Sequence, residues 1–183
     1  MGALLGTVAG AALLVAGAAG CSSSSGGGSG SLSQPDTIAS LKKSPDQSMA
    51  KEILKAAKGQ TGAGKLTAVV YQDSSNSSKT VMIYGGENLP VPAGPPAKQI
   101  KVMLKSGTRV GIGTKLGHEL PVPAGSAGGV AKCAPLISPG STLKFVTCGW
   151  VHGKSVLVMS FGGFDAKSAK SLVPQIIAAV VKS

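Results

Sequence analysis

The sequence predicts an α+β domain: an antiparallel β-sheet with an N-terminal and a C-terminal helix packed on one face. Three observations point there. A helical pattern follows Ser44, several β-rich runs joined by short polar turns fill the middle, and a second helical stripe closes the chain from Asp165. Helix, strands, then helix is the order of an antiparallel sheet covered by its flanking helices.

The first helix is announced by Ser44-Pro45-Asp46-Gln47. Serine caps, proline suits the first helical position, and Gln47 completes a capping box with Ser44. Met49, Ile53 and Ala56, with Ala50, Leu54 and Ala57, then recur at helical spacing, with Lys51, Lys55 and Lys58 opposite and Gly59 as the stop. KLTAVVYQ (65–72) and KTVMIYG (79–85) read as a hairpin across a polar turn. IKVMLK (100–105) alternates apolar residues with lysine and predicts a strand with one wet face, which 108–113 extends or pairs with. Two stretches containing LPVPAG, from Leu89 and from Leu120, read as loops. LKFVTCGWV (143–151) and KSVLVMSF (154–161) form the clearest hairpin, turning at His152-Gly153. In the closing helix Asp165 caps, and Leu172, Val173, Ile176, Ile177 and Val180 make one stripe that Pro174 kinks or opens.

Residues 1–20, MGALLGTVAGAALLVAGAAG, are apolar and uncharged, and small residues (Ala18, Ala19, Gly20) precede Cys21. A signal peptidase admits small side chains before its cut. A cysteine directly after them is the mark of bacterial lipoproteins, whose thiol takes a diacylglycerol. The pattern departs from the usual one at Ala18, where Leu is common, and in lacking a basic n-region. An uncleaved transmembrane helix is the competing reading. The expected organisation is therefore a signal peptide (1–20), a Ser/Gly-rich tether (21–36) lipidated at Cys21, and one extracytoplasmic domain (37–183). That places the protein on the outer face of the cell membrane.

Net charge is +11, carried by lysine apart from Arg109, and aromatic residues are 3% of the chain. Readers of nucleic acid favour the arginine fork and stacking aromatics. The expected partner is therefore not nucleic acid. It is the membrane, through the lipid on Cys21, with weak salt-sensitive contact to anionic lipid or wall polymer. With Cys21 lipidated, Cys133 and Cys148 remain as a pair in an oxidising compartment and are expected to form a disulfide. The alternative is a metal site of Cys133, Cys148 and His152, short of a fourth ligand.

Chemistry-bearing motifs are sparse. GQTGAGKL (59–66) approaches a phosphate-binding loop, but it follows a helix, enters a strand, and has Leu66 where a hydroxyl should hold magnesium. His118 and His152 are the histidines, and no paired carboxylates suggest glycoside hydrolysis. Trp150 is expected to pack on the disulfide or the sheet. No catalytic, cofactor-binding or metal-ligating residue is assigned and no cofactor is expected. The leading functional expectation is a non-enzymatic binding or accessory module of the cell envelope. The alternative is an envelope hydrolase using His118 or His152.

AGSAGGVAKC, a spacer, VTCGWVHGKSVLVMSF and a terminal helix, with VMIYGG upstream, resemble a group of actinobacterial (Streptomyces-type) membrane-anchored and secreted proteins with a two-cysteine C-x-W domain. Gly128-Gly129, Cys133, Cys148 and Trp150 carry the likeness, which spans roughly 81–180. His152 departs from it, standing where the group has an acidic residue. The resemblance implies the 133–148 disulfide and the fold class, and implies no activity.

Overall fold

The structure, a computed structural model, describes residues 32–57, 65–89, 93–107, 115–138, 140, 142 and 144–181. Its centre is a nine-stranded antiparallel sheet. The strands are β1 (Thr37–Ile38), β2 (Leu41–Lys43), β3 (Lys65–Asp73), β4 (Thr80–Glu87), β5 (Lys115–Leu116), β6 (Leu120–Val122), β7 (Val130–Ile137), β8 (Phe145–His152) and β9 (Ser155–Gly162). Their order is β1-β2-β3-β4-β9-β8-β7-β5, and β6 also pairs with β7. The helices are α1 (Ser48–Ala57), α2 (Pro96–Gly107) and α3 (Ala166–Val180).

Both expected hairpins form. β3 and β4 pair in the register Val69↔Ile83, and β8 and β9 in the register Cys148↔Met159. The second turn falls at Gly153-Lys154, so His152 stays in the ladder opposite Ser155. Asp165 caps α3, accepting from the Ser168 amide at 2.7 Å, while Pro174 lies inside the helix.

β8 shows why the sheet needs cover on both sides: Val146 through Val151 are all buried. Alternation sends Val146, Cys148 and Trp150 to one face and Thr147, Gly149 and Val151 to the other. On the first face, Ala169, Val173, Ile176, Ile177 and Val180 of α3 pack into a core with Tyr71, Ile83, Leu157, Met159 and Phe161. On the second, Ile100 and Leu104 of α2 join Ala134, Val151 and Val156 in a smaller core. A β-carbon on Gly149 would lie 3.1 Å from Ile100 Cγ2, so the missing side chain lets α2 seat closely. The antiparallel α+β class is observed, but helices cover both faces of the sheet rather than one.

The segment 100–105, expected as a strand, is the body of α2. Its apolar residues alternate with lysine, yet Ile100, Met103 and Leu104 also sit at i, i+3 and i+4, the spacing of one helical face. Pro96 at the first helical position starts the helix, and the Pro95 carbonyl accepts from the Lys98 amide at 2.9 Å.

The second LPVPAG is not merely a loop. Leu120–Val122 is the edge strand β6, where Pro121 needs no amide proton. Cys133 likewise lies in a full strand, β7, rather than in a loose connection.

Before β1, residues expected in the tether belong to the folded unit. Leu32 is buried and bridges Val181, and the Ser33 amide donates to the Val180 carbonyl at 2.7 Å. The Leu32 amide reaches Glu87 Oε1 at 2.8 Å. Tyr71 donates its hydroxyl to the Pro35 carbonyl at 2.7 Å, and burial pushes that hydroxyl up to about 12. Leu32 is an apolar residue within a polar, glycine-rich run, and burying it draws the following residues onto the sheet.

The start of α1 differs from the expected capping box. Asp46 Oδ1 accepts from the Ser48 amide at 2.9 Å, and the Gln47 carbonyl takes the first helical bond, from Lys51. The Gln47 side chain instead lies along β3. Its Nε2 donates to the carbonyls of Val70 (2.8 Å) and Ser44 (2.7 Å), and its Oε1 accepts from the Val70 amide (2.9 Å). The side-chain amide thus does for β3 what a neighbouring strand's peptide would do. Along α1, Ala50 is buried and Ile53 and Leu54 half-buried, whereas Met49 points to solvent at 56% exposure. Replacing Gln47 with Ala is expected to lower stability by about 1–3 kcal/mol in urea titration. Gln47→Glu, which sets a carboxylate oxygen against the Val70 and Ser44 carbonyls, should be no more stable than the alanine variant.

Cys21, residues 1–20, 58–64 and 108–113 lie outside the described residues. So do the expected signal peptide, the lipidation site and most of GQTGAGKL.

Candidate functional site

A groove of about 350 Å³ opens at the end of the sheet where β7 finishes, β8 begins and α3 starts. Pro135, Leu136 and Ile137 come from β7, Phe145 and Val146 from β8, and Phe164, Asp165 and Ala166 from the approach to α3. Ser138, Thr142 and Lys144 complete the lining. Val146 and Phe164 are buried beneath it, while Ile137 and Phe145 stand at its rim, 54% and 41% exposed. Phe145 lies across from Gly162, and a β-carbon on that glycine would lie 3.6 Å from the ring, so the ring rests over the glycine. An exposed Phe and an exposed Ile at one end of a sheet are unusual in a chain with three phenylalanines.

The polar part of the groove is organised by the start of α3. The Gly163 amide donates to the Lys144 carbonyl at 2.9 Å, tying the approach of the helix to β8. Asp165 is held below the ordinary aspartate value, first by the Ser168 amide, then by the Ser168 hydroxyl and, more weakly, by the charge of Lys144. Phe164 packs edge-to-face on Phe161 at 5.6 Å between ring centres, and Lys79 Nζ lies 5.4 Å from the centre of its ring. The result is an apolar floor flanked by Lys144 and Asp165, suited to hold a small apolar group.

Neither histidine lines this groove, and the two stand apart from each other. Gly117, next to His118, donates its amide to the Pro135 carbonyl at 2.8 Å. His152 lies at the other end of β7, one residue beyond the Val130↔Val151 pair. Five residues of strand, about 17 Å, separate these points. His118 and His152 are both exposed. Glu119, beside His118, is engaged by Lys132 at 2.9 Å, and that bond holds it below the ordinary glutamate value. Opposite His152 is Ser155, whose hydroxyl is buried and has no hydrogen-bond partner among the described residues. A nucleophile must be reachable by its substrate and by its base, and this hydroxyl is sealed in the sheet.

The expected disulfide is present. Cys133 and Cys148 face each other across β7 and β8 with Cα atoms 4.0 Å apart, and both are fully buried. With their sulfurs joined, neither is available as the thiolate that the alternative metal site with His152 requires. Trp150 is buried on the same face and donates its indole N–H to the Gly128 carbonyl at 2.8 Å. Gly129 has φ +83°, and a β-carbon on it would meet His152 Cβ at 2.9 Å and Trp150 Nε1 at 3.1 Å. The Gly128-Gly129, Cys133, Cys148 and Trp150 constellation thus builds one corner of the core, a structural task.

Sequence reasoning missed the groove. Ile137, Phe145 and Phe164 read there as ordinary strand and loop residues, and only their positions at the sheet's end expose a surface. Protein-family models and curated proteins give no match to this chain. No helix among the described residues is long and apolar enough to cross a membrane.

Proposed function

We propose that this protein is a lipid-anchored lipoprotein of the extracytoplasmic face of the cell membrane, and that it acts as a non-enzymatic binding or accessory module of the envelope. The buried Cys133–Cys148 disulfide carries the reading, because disulfides belong to proteins that have left the reducing cytoplasm. The apolar residues 1–20, the small residues before Cys21 and the Ser/Gly run after it supply the export and anchoring signals. The groove beside Phe145 is the surface that such a module would use. The pairing of Glu119 with Lys132 beside His118 and the sealing of Ser155 opposite His152 weigh against the envelope hydrolase.

Anchoring is tested by Cys21→Ser. In the native host the variant is expected to leave the membrane fraction or to accumulate as a precursor. The wild-type mature chain should carry a diacylglycerol mass on its first residue. An unmodified Cys21 inside an intact N-terminus would overturn the anchor.

A further inference from the structure

The solvent face of α2 carries Lys98, Lys101 and Lys105, spaced so that they form one stripe along the helix, and all three are exposed. Val102 flanks the stripe with 51% of its surface open to water. The helix contains no acidic residue. Its inner face is committed, with Ile100 and Leu104 fully buried against β8, so the stripe is held rigidly outward. Among the described residues, Glu119 is a carboxylate close enough to feel Lys101. Lys101 acts on it through space, but Lys132 already neutralises it in an ion pair. The two other helices differ. α1 interposes Glu52 between Lys51 and Lys55, and α3 begins at Asp165.

The geometry points to α2 as a docking face for an anionic phospholipid bilayer. The inference rests on the lipoprotein reading above and names the face that such an anchored domain turns toward its membrane. A stripe of lysines beside an exposed valine is complementary to phosphate headgroups over an apolar interior, and the ammonium groups extend past the shorter apolar side chain next to them. Residues 21–31 allow at most about 40 Å between Cys21 and Leu32, even fully extended. That reach is comparable with the width of a domain of this size, about 40 Å. An anchored domain therefore meets the bilayer continually, and a modest preference of one face suffices to orient it. Headgroup attraction fades where salt shortens the Debye length to about 4 Å, near 0.5 M.

The full-length protein, mixed with vesicles of phosphatidylglycerol or of phosphatidylcholine, tests this by flotation and by acetylation footprinting of lysines read by mass spectrometry. On phosphatidylglycerol, Lys98 and Lys101 are expected to be protected while Lys51 and Lys154 stay reactive. Phosphatidylcholine should leave all four reactive, and 0.5 M salt should abolish the protection. In the chain carrying Lys98→Gln, Lys101→Gln and Lys105→Gln, the preference for phosphatidylglycerol should fall about fivefold per lysine removed, the factor equivalent to about 1 kcal/mol per charge. Flotation on both lipids with equal reactivity of Lys98 and Lys101 would overturn the docking face and leave the anchor standing. Flotation on phosphatidylglycerol alone, lost in the triple variant, would support the face without an anchor. No flotation on either lipid would remove the docking face and weigh against the anchor.

Discussion

Breaking the Cys133–Cys148 bond is expected to lower the free energy of unfolding by about 2–4 kcal/mol. In a domain of this length that corresponds to a fall in Tm of roughly 6–12 °C. The bond joins directly opposed residues of β7 and β8 and closes a segment spanning 15 residues. That segment includes the connection between the two strands, so the cross-link restrains the unfolded chain most where the ladder would otherwise open. Cys133→Ala and Cys148→Ala should cost similar amounts, and the double variant no more than either, because each single change already removes the whole bond. Trp150 is the one tryptophan in the chain and is buried beside the cystine, so its emission reports unfolding directly. Mass spectrometry of unreduced protein should find a single intramolecular 133–148 link. Two free thiols in protein purified from the envelope would contradict the pairing and remove the main support for an extracytoplasmic location.

Trp150→Ala is expected to be the most damaging single change, at about 3–5 kcal/mol. It empties the largest fully buried side chain and also leaves the Gly128 carbonyl without its indole donor. Trp150→Phe separates the two effects. It keeps most of the volume, loses the 2.8 Å bond, and should cost about 1–2 kcal/mol in denaturant titration. If the two variants were equally unstable, the hydrogen bond to Gly128 would outweigh packing. The Gly128-Gly129 turn would then be the keystone of this corner.

Some of this was readable in the residues and some was not, for physical reasons. The stripe from Val173 to Val180 repeats over several turns and follows an aspartate cap, so helix α3 and its buried face could be placed from sequence. The two hairpins could be placed because β-branched runs flank short polar turns. Segment 100–105 misled because over six residues an apolar–lysine alternation satisfies both periods, and Pro96 upstream was the stronger signal. Strand β7, VAKCAPLI, was hidden by Pro135, which a central strand seldom tolerates. It is tolerated here because the neighbours on that side, β5 and β6, leave a gap opposite it, and its carbonyl still accepts from Gly117. The local pattern assigns Gln47 to its own helix cap, whereas its partner is a strand residue 23 positions away, a separation no local pattern encodes. The groove draws on β7, β8 and the approach to α3, which come together only once the register is known.

The bridge between Leu32 and Val181 brings the two ends of the folded unit to one corner of the sheet. A reporter protein or affinity handle attached beyond Val181 would emerge beside Leu32, crowding the corner where the described chain enters the fold. The β3–β4 turn around Asn76 lies at the opposite end of β4 from Glu87, which holds Leu32, and its residues are exposed. An insertion there would stand about 25 Å away along the strand. That is where a tag can be read without disturbing how the domain is carried.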